Sequence, residues 1–151
     1  MIAVITIEGI LKADNQDGII GEGTRLYYAL SEHYRIILTS EEGDPRKLEH
    51  WLKSNGFNEH SQVLIGEAVP ILNKLRSGGT ALSLFLSPNP DTIRRAMQAG
   101  IASILFLHPR YSHPSFRPDW DGLPRPWDEL VDEVEKQNIM KAEDKRRIPN
   151  E

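Results

Sequence analysis

The sequence predicts an α/β fold, a doubly wound and mostly parallel sheet in three layers, α/β/α. Three observations point there. The strand candidates are short, continuous apolar runs such as Ile2-Ala3-Val4-Ile5 and Ile36-Ile37-Leu38, the pattern of strands buried on both faces. Helical periodicities separate those runs with short connections, as parallel strands need a crossover. The runs end in hydroxyls, acids or glycines, and open α/β sheets bind ligands beyond the carboxyl ends of their strands.

The first strand leaves the N-terminus directly and gives way to Thr6, Glu8 and Gly9. These three are the first candidates for chemistry. The plainer reading makes Thr6 a β-branched strand residue and Glu8-Gly9 a turn. Lys12 to Gly23 is polar and glycine-bearing and reads as a loop. Thr24 is placed to cap a helix to about His33, with Leu26, Tyr27, Ala29, Leu30 and Tyr34 as its apolar face. Arg35 to Ser40 is the second strand. Asp44-Pro45 starts the next helix, which turns Leu48, Trp51 and Leu52 inward and stops at Asn55-Gly56.

Gln62 to Gly66 reads as a shorter strand and Ala68 to Arg76 as a helix, with Pro70 tolerated in its first turn. Thr80 to Leu86 is a strand, followed by a helix from about Asp91 to Ala99 with Ile93, Ala96 and Met97 facing in. Ile101 to Leu107 is the last strand. The stretch 108–127 is rich in proline, aromatic residues, Arg and His, and cannot be a regular helix or central strand. It is expected to be an ordered excursion packed on the body. A final helix over 127–137 and a frayed, charged tail over 141–151 complete a single domain spanning 1–140.

The totals narrow the function classes. A chain of 151 residues with 39% hydrophobic and 26% charged residues is an ordinary globular protein with a real core. A net charge of −4 gives no general reason to expect nucleic acid as a partner. The absence of cysteine removes disulfide and thiolate chemistry. There is no signal-peptide pattern, no apolar run near the roughly 18 residues of a membrane helix, and no internal repeat. The expectation is a cytoplasmic protein without a membrane partner.

The strand ends, taken together, resemble the haloacid dehalogenase-like superfamily of phosphatases and phosphotransferases. The superfamily opens with a strand and Asp-x-Asp-Gly-(Thr or Val)-Leu, and the matching stretch is Thr6-Ile7-Glu8-Gly9-Ile10-Leu11. Its second motif, an apolar strand ending in Thr or Ser, is matched by Ile36-Ile37-Leu38-Thr39. Its fourth motif is a strand ending in one or two acids, then a loop, a helix and Ala-Gly-(Ile or Met). It is matched by Leu84 to Asp91 running on to Ala99-Gly100-Ile101. The resemblance covers about residues 1–109 and implies a Rossmannoid sheet. The chain is also similar to small superfamily members found in actinobacteria and their phages.

The departures from that pattern carry the functional expectation. The resemblance puts the family's nucleophilic Asp at Thr6 and its acid/base Asp at Glu8, one methylene longer. The fourth motif's metal acids fall on Ser87 and Pro88, and Pro88 has no ligating group. Asp91 is a remnant metal candidate, with capping of the following helix as its structural reading. Thr39 and Lys74 are the phosphate-binding candidates, Lys74 with a solvated helix surface as its alternative. The segment between the first two strands is too short for a large cap domain. These departures imply a cap-less, catalytically degenerate member, a pseudo-phosphatase that works by binding a protein partner or itself, with no cofactor. One alternative is a weak or altered Mg²⁺-dependent phosphohydrolase or nucleotidase using Glu8 with Asp14, Asp17 or Asp91. Another is a flavodoxin-like interaction domain.

Other constellations give less. None of His33, His50, His60, His108 and His113 stands at a recognised zinc spacing, though His108 and His113 with Asp119 and Asp121 outline a conceivable metal loop. Arg110, Arg117 and Arg125 interleave with Tyr111, Phe116, Trp120 and Trp127, which suits stacking on single-stranded nucleic acid or packing of a loop on its own body. No hydrolase triad and no Gly-rich phosphate loop follow a strand.

Overall fold

The computed structural model describes residues 1–13 and 17–117. Five strands, β1 (Ile2–Thr6), β2 (Arg35–Ser40), β3 (His60–Ile65), β4 (Leu82–Ser87) and β5 (Ser103–Leu105), form one sheet in the order β3-β2-β1-β4-β5. Every pairing is parallel. Four helices connect them, namely α1 (Gly21–Ser31), α2 (Pro45–Ser54), α3 (Ala68–Ser77) and α4 (Pro90–Gln98). This is the α/β sheet that the apolar runs imply. The order 3-2-1-4-5 is that of doubly wound dinucleotide-type sheets and differs from the 2-1-3-4-5 of flavodoxin-like ones.

The apolar runs bury because each strand serves two cores. Ala3 and Ile5 of β1 join Ile36 and Leu38 of β2 in a cluster with Tyr27 of α1 and Leu48, Trp51 and Leu52 of α2. Val4, Ile37 and Phe85, the alternate positions, join Leu72 of α3 and Ile93 and Ala96 of α4. Successive strand residues point to opposite faces, so α1 and α2 cover one face and α3 and α4 the other. The first face is the more aromatic. Phe57 stacks on Trp51 at 5.5 Å and meets the Tyr27 ring edge-on at 5.2 Å.

The caps explain several boundaries. Asp44 accepts hydrogen bonds from the backbone N–H groups of Arg46 and Lys47, with Pro45 opening α2. Gly56 follows with φ +78°. The expected Thr24 cap of α1 is not found. That helix begins four residues earlier, after Ile20, with no side-chain cap. The loop before it explains the shift. The Ile7 carbonyl accepts from the N–H groups of Ile10, Leu11 and Lys12, and Ile20 N–H then donates to the Leu11 carbonyl. This tight turn and return arm deliver the chain straight into the helix. Gly23 lies so close to it that a Cβ there would sit 1.6 Å from the Ile10 carbonyl oxygen. Thr24 instead donates to the Ile20 carbonyl at 2.9 Å.

Three further expectations are corrected. Asp91 does not cap α4. Asn89 does, accepting from the Asp91 N–H at 2.9 Å, and Pro90 stands first in the helix. Met97 faces outward at 60% exposure, because α4 meets the sheet margin along a stripe of Ile93 and Ala96. β5 is shorter than 101–107, since its residue-for-residue register with β4 runs only from Ser103 to Leu105. The compact unit that holds these elements runs Met1–Phe116. Its last part is a turn at His108 to Ser112 and a 3₁₀ turn at Pro114–Phe116. The stretch 118–127, the expected final helix over 127–137 and the tail over 141–151 lie outside the described residues. No described helix is long and apolar enough to cross a membrane.

Candidate functional site

The chain moves outward from β1 to β2 and β3, then crosses to β4 and β5 on the other side of β1. The reversal leaves a crevice at the carboxyl ends of β1 and β4, the position where doubly wound sheets bind ligands. A cleft of about 280 Å³ lies there, with Thr6, Glu8 and Gly9 from the end of β1 and Ser87, Pro88 and Asn89 from the end of β4. Glu41 follows β2, and Ala68 and Thr92 open α3 and α4. The rest of the wall is Tyr111, Ser112, His113 and Phe116.

Thr6 is partly buried. Its Oγ1 accepts a long hydrogen bond, 3.4 Å, from Thr39 Oγ1. Thr39 itself is 1% exposed and is not part of the cleft wall. Its hydroxyl is thus spent on Thr6. Glu8 is partly exposed and held from β2, where Ser40 Oγ donates to Oε2 at 2.6 Å and the Glu41 N–H reaches Oε1 at 3.4 Å. The short bond from a 2% exposed serine fixes the carboxylate in place. Bonds to a charged acceptor are the stronger class.

Ser87 is 2% exposed, and its Oγ accepts from the Asn89 N–H at 3.1 Å. Pro88 is buried against Gly9. A Cβ on Gly9 would stand 2.6 Å from Pro88 Cγ and 2.9 Å from Cβ, and Gly9 has φ +87°. The two loops therefore interlock. The proline ring fills the ground where the resemblance would put a metal acid, and only glycine can face it.

The structure does not bring the other candidates to this cleft. Lys74 is exposed in the last turn of α3, which starts at the cleft with Ala68 and runs about 9 Å onward to it. Asp91 pairs with Arg94 on the surface of α4. Asp17 is 80% exposed and lies 3.9 Å from Lys12 Nζ. Asp14 lies outside the described residues. Among the described residues no group of three or more His, Cys, Asp or Glu side chains could hold a metal ion. The described residues do not fit the Mg²⁺ that the resemblance implies, which needs several oxygen ligands in near-octahedral array.

The wall over 111–116 is the part that sequence reasoning missed as site material. Sequence reading offers it as a loop packed on its own body, a stacking surface or a metal loop, and not as a wall of the strand-end cleft. His108 is the hinge of this strap. Its Nδ1 accepts the N–H groups of Arg110 and Tyr111, so its proton sits on Nε2, 3.1 Å from Glu22 Oε1 on α1. The Glu22 carboxyl is held below its ordinary range, first by its own backbone N–H at the helix start, with His108 and Arg25 adding. Ser112 closes the turn, accepting the His108 N–H at 2.6 Å and burying to 4% exposure. The rings of His108 and Tyr111 lie 4.8 Å apart and those of His113 and Phe116 5.4 Å. Proline, aromatic and histidine content signalled order in this segment, but no local pattern tells which strand ends it returns to.

Ser40, Glu41, Asn89 and Thr92 are not among the sequence candidates, although Ser40 and Glu41 lie at the end of the second predicted strand and Asn89 and Thr92 flank the predicted helix start at Asp91. Comparisons with protein-family models, curated proteins and solved structures give no match.

Proposed function

We propose that this chain is a catalytically degenerate haloacid dehalogenase-like protein that works by binding at the switch-point cleft. One observation carries the reading. The position of the family's nucleophile is a threonine hydroxyl paired with Thr39, and the position of its metal acids is a serine and a proline interlocked with Gly9. A threonine hydroxyl needs a base to attack. The cleft carboxylate of Glu8 is committed to Ser40 and the Glu41 N–H. What survives is the frame of such a site, with a fixed carboxylate, buried hydroxyls and an added aromatic wall. That frame suits recognition better than turnover. The partner in this reading is a protein or a second copy of the chain.

The melting temperature with and without Mg²⁺ tests this reading. A ligand held by the folded state alone raises stability by mass action, about 2.7 kcal/mol at a hundredfold excess over Kd. The expected result is no change at millimolar Mg²⁺ for the natural sequence. A clear rise that Glu8→Gln removes would favour the phosphohydrolase reading instead.

A further inference from the structure

We infer that the switch-point cleft receives an organic cation, an alkylammonium or guanidinium group of side-chain size, with Glu8 as its counter-ion. This names the ligand class of the site proposed above and rests on that reading.

The charge of the wall is one-sided. Among the described residues, Glu8 and Glu41 line the cleft, and no Lys or Arg does. No salt bridge among the described residues reaches either carboxylate. Among these described residues a phosphate group would meet two carboxylates and no Lys or Arg. A divalent metal finds too few oxygens, as shown above. A cation meets a carboxylate already fixed by Ser40. A carboxylate can accept roughly four hydrogen bonds, and Glu8 receives two, one of them long. Thr6 Oγ1 and Ser87 Oγ each take one donor and keep acceptor capacity.

The remaining wall fits the same guest. Tyr111 and Phe116 present aromatic rings, braced by His108 and His113. A fixed carboxylate with aromatic surface beside it holds ammonium and guanidinium groups by charge-assisted hydrogen bonds and cation–π attraction. Size sets the rest. At about 280 Å³, the cleft falls below the roughly 300–1,000 Å³ of sites for drug-sized ligands. An alkyl arm with a charged head is of a size to enter it. The guest is either a free amine or a Lys or Arg side chain offered by a polypeptide, and its chemistry is the same.

The test is an amide NMR titration of the full chain with n-butylamine, N-acetyl-lysine methylamide, N-acetyl-arginine methylamide and inorganic phosphate. The expected result is saturable shifts at Glu8, Glu41, Ser87 and Asn89 with at least one cation and none with phosphate. Glu8→Gln, which keeps an acceptor for Ser40, should weaken cation binding by about tenfold or more. Should that variant not fold, the natural sequence is titrated at about 20 and about 200 mM salt, where affinity must fall as the ions are screened. Equal affinity for butylamine and the acetylated amides marks a free amine as the guest, and tighter binding of the amides marks a polypeptide side chain. Absence of saturable cation shifts, unchanged affinity in Glu8→Gln, salt-independent binding, or preference for phosphate would each overturn the inference. Those outcomes leave the binding reading standing, because that reading falls to Mg²⁺-dependent turnover or to Mg²⁺ stabilisation that Glu8→Gln removes.

Discussion

Gly9 and Pro88 settle the shape of the cleft between them. The glycine has φ +87°, a conformation that costs an L side chain strain, and its missing Cβ is where the proline ring sits. Gly9→Ala should therefore destabilise the chain by two separable effects, together about 2–4 kcal/mol. In a Pro88→Ala background the clash term shrinks and the φ term stays. Urea denaturation of the four proteins measures this as a coupling energy. Strict additivity would show that the two loops do not press on one another. At this scale the hydroxyls and acids at the strand ends were legible in the sequence. Thr6, Glu8, Gly9, Ser87 and Pro88 do meet in one place. Lys74 misled because spacing alone says that it lies on a helix, and not which end of that helix faces the site.

Among the elements, β3 is an edge strand tied to α1 by a buried polar relay. Tyr27 OH accepts the Glu59 N–H at 2.7 Å, so it donates to His60 Nδ1 at 2.8 Å. Burial pushes the Tyr27 phenol up to about 12 and keeps it a donor. Burial also pushes His60 below its ordinary 6.5. The sign follows from proton counting. The folded chain holds His60 neutral at a pH where the unfolded chain protonates it, so the unfolded state binds more protons and stability rises with pH. The contribution is whole above about 6.5 and is lost as pH falls through that value toward the lower folded one. The urea midpoint should drop between about pH 7.5 and about pH 5.5, and the drop should be smaller in His60→Gln. An equal drop in both would remove His60 from the account. Phe57, locked between Trp51 and Tyr27, is the costly truncation of this face, with Phe57→Ala expected to lose about 3–5 kcal/mol by thermal or urea melts. Strand and helix identities were legible because apolar runs and helical stripes differ in period. The start of α1 was not, since its position is set by contact of Gly23 with the Ile10 carbonyl, a tertiary fact that outweighs the Thr24 capping preference.

For the molecule as a whole, the doubly wound sheet concentrates polar strand ends at one crevice while its two apolar faces do the folding. The class of fold was legible from buried-type strands alternating with helices. The strand order was not, because periodicity carries no information on which side of β1 a later strand docks. An ordered strap over 108–116 was legible, but not where it docks, because its contacts with Glu22 and the cleft are long-range. The central claim is that this frame has lost the chemistry its motifs resemble and retains a binding cleft. The most direct measurement is hydrolysis of p-nitrophenyl phosphate by the pure chain with Mg²⁺, beside Glu8→Gln. The account predicts no turnover above the uncatalysed rate in either protein. Mg²⁺-dependent turnover by the natural sequence that Glu8→Gln abolishes would contradict it.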